Sequence, residues 1–289
     1  LDGMFAIGIF DHNTNSLYLI RDFAGIKPLH YGIDSGKVVF ASQYDQISKH
    51  PAFVNNPIQP EILRLYLEQH FIPSPYGILK NTYQVFPGEI VSFSIGGEQQ
   101  TYKYWEFPNR REYTISSMEE AMEKTAAELE KSVKSELISD VPIGSFLSGG
   151  IDSPLICFDA QKILYGKLDT FSIGSDSQIH DESSDAQEYA KSLGSTHHLE
   201  MMKSGNAAEM LDNVMGSLSE PFADYSIIPT FQICRNAKRK VTVALSGDGG
   251  DELFFGYERF WSILKNRFIQ EFPYPIKYFM YGIDKIITG

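Results

Sequence analysis

Along the first hundred residues the apolar positions come in short runs broken by turn formers. Met4–Phe10 and Ser16–Ile20 flank Asp11-His12-Asn13-Thr14-Asn15, a polar pentapeptide that predicts a hairpin. Val38–Ala41 predicts a further strand, running into a polar helix start at Ser42–Ser48. The period then changes. In Pro60–His70 (PEILRLYLEQH) the apolar residues Ile62, Leu63, Leu65, Tyr66 and Leu67 recur at helical intervals. Tyr83–Phe86, Pro87-Gly88 and Ile90–Ser94 read as strand, turn and strand, and Gly96-Gly97 as another turn. The polar stretch Pro108-Asn109-Arg110-Arg111-Glu112 follows Tyr104-Trp105 and marks a boundary between residues 1–107 and 117–289.

Ser117–Leu137 is a long amphipathic pattern. Ser117 stands three residues before Glu120, the capping-box spacing, and Met118, Ala121, Met122, Thr125, Leu129 and Val133 recur every three to four positions. After Pro142 strand and helix patterns alternate. Strands are predicted at Ile143–Leu147, Leu168–Ile173, Thr196–Met201 and Val241–Leu245. Helices are predicted at Ser153–Leu164, Ser183–Leu193, near Asn206–Leu218, and at Ile227–Lys238. Such alternation argues for a parallel, doubly wound α/β sheet. In that architecture ligands bind outside the carboxyl ends of the strands, which directs attention to the turns after Leu147, Ile173 and Leu245.

Composition narrows the classes. The chain has 289 residues, 43% hydrophobic and 21% charged, which excludes disorder, collagen and coiled coil. No apolar run approaches the roughly 20 residues of a spanning helix, so no membrane partner is expected. The chain starts at Leu1 without a basic, signal-like region and reads as a piece of a longer protein. The net charge is −12 and the densest basic cluster is Lys238, Arg239 and Lys240, so no nucleic-acid partner is expected. An acidic chain still accommodates a nucleotide, because backbone N–H groups and a metal can hold phosphates. The two cysteines, Cys157 and Cys234, form no CxxC and suit a reducing, cytoplasmic setting; both are expected in core positions.

Candidate chemistry sits on two turns. Ser148-Gly149-Gly150-Ile151-Asp152-Ser153 combines two glycines, two hydroxyls and a helix start, an anion site without the lysine of a Walker A motif. Asp152 belongs among phosphates only with a cation between them. Ser246-Gly247-Asp248-Gly249-Gly250-Asp251-Glu252 repeats the logic after the β-branched run Val241–Val243. Facing each other, Asp152 and Asp251 would share Mg²⁺, with their carboxylates about 4–6 Å apart. The bland reading of each turn is a tight loop with a solvated or capping carboxylate.

These strings carry a resemblance. Ser148–Ser153 resembles the PP-loop of ATP pyrophosphatases, which cleave ATP to AMP and pyrophosphate. Asp140–Ser153 (DVPIGSFLSGGIDS) and Leu245–Phe254 (LSGDGGDELF) resemble glutamine-hydrolysing asparagine synthetases. So do Leu1–Ala6, Arg21-Asp22 with Gly25–Leu29, Phe40-Ala41-Ser42 and Phe86-Pro87-Gly88. The resemblance implies the β-rich C-terminal part of an N-terminal-nucleophile amidotransferase domain over 1–107. An ATP pyrophosphatase domain, truncated at its C-terminus, would follow over 117–289. It implies a ligase that adenylates the side-chain carboxylate of aspartate and then admits ammonia, normally drawn from glutamine, to give asparagine. By the same resemblance Leu147 and Ile173 would line the adenine and ribose site. Ser148, Gly149, Gly150 and Ser153 would hold pyrophosphate, and Ser246 and Gly247 would contact the nucleotide. Asp152 and Asp251 would bind Mg²⁺. Asp248 stands where many members have Glu, a residue tied to the acyl-adenylate step.

Departures from the family pattern set further expectations. Neither cysteine lies in the amidotransferase part, so this stretch is expected not to hydrolyse glutamine by itself. His197-His198 points to opposite strand faces and reads as a strand end near the nucleotide rather than a metal pair. Glu220–Asp224 with Ser226–Pro229 resembles a family segment near the amino-acid site. Arg21-Asp22 reads as a structural pair, and the aromatics between 254 and 281 as core or subunit contact, as in a homodimer. Two classes stay open: the synthetase, whose acceptor is aspartate or another carboxylate (as in polysaccharide modification, lactam or lasso-peptide formation), and a noncatalytic nucleotide-binding remnant.

Overall fold

The computed structural model describes residues 1, 3–95, 98–108, 114–176, 181–202, 205, 207–265 and 267. The turn at Gly96-Gly97, most of the polar boundary stretch and the aromatics Phe268, Phe272 and Tyr274 lie outside them. The chain divides into two compact units, Leu1–Ser116 with Gly205–Phe231, and Ser117–Ser204 with Gln232–Gly289.

In the first unit β1 (Ala6–Asp11) and β2 (Ser16–Arg21) form the expected hairpin. Its turn is held by Asp11, whose carboxylate accepts from Asn13 N and Thr14 Oγ1, both at 2.8 Å. Next come β3 (His30–Asp34), β4 (Lys37–Ala41), α1 (Tyr44–Ser48), α2 (Pro60–Gln69), β5 (Thr82–Gln84), β6 (Glu89–Ser94) and β7 (Gln99–Lys103). They make two antiparallel sheets, ordered β1-β2-β6-β7 and β4-β3-β5. The Pro87-Gly88 turn therefore closes no hairpin, because β5 pairs with β3 while β6 pairs with β2 and β7. Leu19, Val91 and Phe93 meet Leu29, Tyr31 and Val85 in one buried cluster that draws on both sheets. Each such side chain removed from water contributes about 1.5–3 kcal/mol.

Arg21 and Asp22 do not pair with each other; each braces backbone. The Arg21 guanidinium, nearly buried, donates to the carbonyls of Gly25 (2.7 Å), Val85 (2.8 Å) and Lys27 (3.1 Å) and to Ser74 Oγ (3.4 Å). Asp22 accepts from Ile26 N at 3.0 Å and Lys27 N at 2.9 Å. Arg21-Asp22 thus fixes the glycine-containing loop after β2, the structural role expected of it.

Gly205–Phe231 adds α6 (Ala207–Ser217), with Met210 and Val214 buried, and places Glu220 in the first unit. Burial pushes the Glu220 carboxyl from its ordinary 4.5 up to about 7, against the opposing pull of Arg21. A carboxyl raised in the folded state holds its proton more tightly there than in the unfolded chain. Its stabilising contribution is complete below pH 4.5 and is lost as pH rises through 7. Melting temperatures of wild type and Glu220→Gln should therefore diverge over that window, the variant gaining relative stability as pH rises. A constant difference would contradict the assignment.

The second unit opens with α3 (Met118–Glu136), capped as expected: Ser117 Oγ accepts from Glu120 N at 3.1 Å. Ser117→Ala should cost about 1 kcal/mol, read as a lower denaturant midpoint; an unchanged midpoint would show the cap to be idle. The amphipathic seam is used only at its C-terminal end. Val133 and Leu129 pack, while Met118 and Met122 stay exposed. The alternation that follows is β8 (Ile143–Phe146), α4 (Asp152–Ile163), β9 (Asp169–Ser175), α5 (Ser183–Leu193) and β10 (Thr196–Met202). It ends in the part of α7 (Ile227–Ala237) from Gln232 onward, β11 (Val243–Leu245), α8 (Gly250–Phe254) and α9 (Glu258–Lys265). The four strands form one parallel sheet ordered β10-β9-β8-β11. Leu147, Cys157, Ala160, Leu168, Ala186, Ala190 and Val133 form one core cluster. Phe171 with Ala237 and Val241 forms another, joined by Phe146 and Ile233. Two separate clusters, drawing on α3, α4 and α5 in one case and α7 in the other, fit helices on both faces of the sheet, the doubly wound α/β class. No described helix is long and apolar enough to cross a membrane.

Candidate functional site

Strand order sets the geometry of the candidate site. β8 and β11 are neighbours, paired in parallel from Ile143↔Val243 to Ser145↔Leu245, so both glycine turns leave the same edge of the sheet side by side. Ser145 Oγ donates to Leu245 O at 3.3 Å and ties the strand ends together. Leu147 is buried, its N–H on Phe171 O at 2.9 Å, and its carbonyl accepts from Ser172 Oγ. Ile173 follows two residues on in β9, half-buried near the same edge.

The first turn is closed by its own hydroxyls. Ser153 Oγ accepts from Ser148 N at 2.8 Å and shares a 2.9 Å hydrogen bond with Ser148 Oγ, which accepts from Gly150 N at 3.2 Å. This winds Ser148–Ser153 tightly ahead of α4, with Asp152 in the helix's first turn. The second turn lies directly on it. A Cβ on Gly247 would sit 3.0 Å from Ser153 N, and one on Gly250 would sit 2.5 Å from Asp152 Oδ2. Only glycine lets the two turns approach this closely.

Two carboxylates meet there. Burial, and secondarily the charge of Asp251, pushes the Asp152 carboxyl above the usual carboxylate range. A divalent cation between the two would relieve that repulsion, so the donor set fits Mg²⁺ held from two sides. Among the described residues no group of three or more His, Cys, Asp or Glu is placed to hold a metal. Asp248 accepts from Ser246 Oγ at 3.0 Å, which orients its carboxylate within the second turn. Its charge also reaches α7, where partial desolvation of the thiol and then Asp248 raise Cys234 above the ordinary thiol range.

Other residues singled out in the sequence lie around this edge or apart from it. His197 and His198 pair with Thr170 and Phe171 of β9, which pair in turn with Ser145 and Phe146 of β8, so both stand level with the strand ends that carry the turns, two strands along from β8. His198 Nε2 lies 2.6 Å from Asp169 Oδ1, with its ring stacked on Phe171, and His197 Nδ1 lies 3.0 Å from Thr170 Oγ1. Both rings thus tie β10 to β9. Cys157 is buried as expected, but Cys234 is exposed. On α7 the packed seam runs through Ile233 and Ala237, which turns the next residue, Cys234, away from it. Phe254, Phe255 and Trp261 are exposed as well, so they are not core. One participant carries no sequence motif: Glu182, just before α5, accepts from Gly149 N at 3.1 Å. Nothing in its local sequence marks it, since the contact joins positions 33 residues apart.

Comparison with known proteins places this geometry among relatives. The asparagine synthase family model matches residues 124–279, and a glutamine amidotransferase domain model matches residues 1–105. A Methanocaldococcus jannaschii protein, provisionally named asparagine synthetase (glutamine-hydrolyzing) 2, is 34% identical over 275 residues, covering 94% of this chain and 53% of that protein. Asparagine synthetase (glutamine-hydrolyzing) 1 of Bacillus subtilis is 34% identical over 278 residues, covering 96% of this chain and 43% of that protein. A Penicillium rubens protein named amidase chyE is 26% identical over 278 residues, covering 90% of this chain and 40% of its own length. The chain thus spans about half the length of the relatives it matches.

Proposed function

The chain belongs to the asparagine synthase family, and from that premise we propose that the intact protein is an ATP-dependent ligase turning aspartate into asparagine with glutamine as ammonia source. The observation that carries the reading is the pair of glycine turns, each with an aspartate, packed together at the ends of adjacent parallel strands. In this reading the aspartate side-chain carboxylate attacks the α-phosphorus of ATP. The bond to the bridging oxygen breaks, pyrophosphate leaves, and β-aspartyl-AMP remains. Ammonia then adds to the acyl carbon, loses a proton and expels AMP.

Each residue has a task in that sequence. The amides of Gly149 and Gly150 and the hydroxyls of Ser148 and Ser153 bind the leaving pyrophosphate, aided by the helix N-terminus of α4. Leu147 and Ile173 line the adenine and ribose, and Ser246 and Gly247 touch the nucleotide from the other turn. Asp152 and Asp251 would hold Mg²⁺, which would supply charge neutralisation for the leaving pyrophosphate. Asp248, oriented by Ser246, takes the proton that ammonia sheds as it attacks the adenylate. Residues 1–105 belong to the part that releases ammonia from glutamine.

A second reading keeps the chemistry and changes the acceptor. Its support is the similarity to a protein named an amidase, which shows that relatives of this chain are not all named asparagine synthetases. Isotope exchange between pyrophosphate and ATP, measured on the intact protein with a panel of carboxylates, separates the readings. Exchange that depends on aspartate supports the first. Exchange with a different carboxylate alone supports the second, and no exchange with any acid leaves a noncatalytic nucleotide binder.

A further inference from the structure

The first amide of the pyrophosphate turn already holds an anion, and it belongs to the protein. Gly149 N–H donates to Glu182 Oε2 at 3.1 Å. The approach is close along the backbone too: a Cβ on Gly149 would lie 2.9 Å from Glu182 Cβ and 3.0 Å from Asp185 Cβ. Glu182 is set there by the residue before it. Asp181 accepts from Ser175 N and Ser183 N, both at 3.1 Å, and from Ser183 Oγ at 3.0 Å, pinning the end of β9 to the start of α5. The Glu182 side chain itself is exposed, so its carboxylate is free to swing into solvent while its backbone stays fixed.

A carboxylate oxygen and a phosphoryl oxygen use the same kind of donor at a glycine turn. One N–H cannot serve both anions well, and two like charges at that distance repel. We propose that Glu182 is a positioning residue of the pyrophosphate site. It occupies the Gly149 amide while the turn is empty, yields it to a phosphate oxygen when nucleotide binds, and reclaims it as pyrophosphate leaves. The proposal rests on the pyrophosphatase reading of this turn. Its consequence is that the protein binds pyrophosphate more weakly than its donors alone would allow, which favours product release.

The test is the affinity of the intact protein for inorganic pyrophosphate, with Mg²⁺ present, by calorimetry and as product inhibition. Glu182→Gln keeps the shape and removes the competing charge. It should bind pyrophosphate about tenfold more tightly, the factor that separates charged from neutral hydrogen-bond acceptors. Glu182→Ala, which removes the competitor altogether, should move affinity in the same direction and serves if the glutamine variant fails to fold. A purely packing role predicts the reverse, since loosening the turn weakens binding. Unchanged or weaker pyrophosphate binding in both variants, with wild type binding normally, overturns the role of Glu182 and leaves the pyrophosphatase reading standing. Failure of wild type to bind pyrophosphate at all removes both.

Discussion

Asp152→Asn in the intact protein should lower carboxylate-dependent pyrophosphate exchange by about 100- to 1,000-fold while leaving the fold in place. The substitution is isosteric and removes one of the two carboxylates that act on each other across the two turns. In the proposed mechanism Mg²⁺ would lose one of its two carboxylates, and with it part of the charge stabilisation of the leaving pyrophosphate. The stability side of the prediction follows from the same geometry. Asp152 is partly desolvated and repelled by Asp251, so neutralising it in the metal-free protein relieves strain rather than creating it. The melting temperature should hold or rise slightly, within the ~0.5 kcal/mol typical of sites near the surface. Exchange at the wild-type rate would remove Asp152 from the metal site. Loss of activity together with a collapsed melting temperature would show that its role is structural.

The second large effect concerns the other unit. Arg21→Ala should destabilise it by about 3–5 kcal/mol, read by chemical denaturation. Three carbonyls, those of Gly25, Lys27 and Val85, lose their donor at once, and the site is nearly closed to water. Burial already works against the guanidinium charge, with Asp22 and Glu220 countering. Arg21→Lys should recover little, because an ammonium on a flexible stem does not reproduce a planar fork that reaches three carbonyls. A loss under about 1 kcal/mol for the alanine variant would show that the loop after β2 stands without it.

Much of this architecture was legible in the chain because its elements are locally consistent. The capped start at Ser117, the exact span Ser183–Leu193 and the hairpin around Asp11–Asn15 each follow from nearest-neighbour chemistry. The two strands that escaped, β3 and β7, show why others do not. β7 (QQTYK) is an edge strand exposed at every position, so it has no apolar face to alternate. β3 (HYGID) lies between β4 and β5 with His30, Tyr31 and Gly32 all buried, so polar and apolar residues do not alternate there either. The partition of Gly205–Phe231 into the first unit is silent for a different reason. An amphipathic helix declares that it has a partner and not which one. At the candidate site, glycines and aspartates announced the turns, because those residue types have few other uses at strand ends. Glu182 was invisible because a single carboxylate before a helix has many uses, and only the fold chooses among them.

The neighbouring of β8 and β11 has a consequence in time. Ser145 and Leu245, which join their ends, are 100 residues apart, and β9, β10 and the intervening helices are made between them. Pairing across so long a loop is slow to close. During synthesis the first turn emerges well before its counterpart exists. Until β11 docks, Asp152 has no opposing carboxylate and Gly149 already has Glu182 to hold. The pairing of the two aspartates on which the proposed site depends therefore arrives with one late event, the seating of β11 against β8.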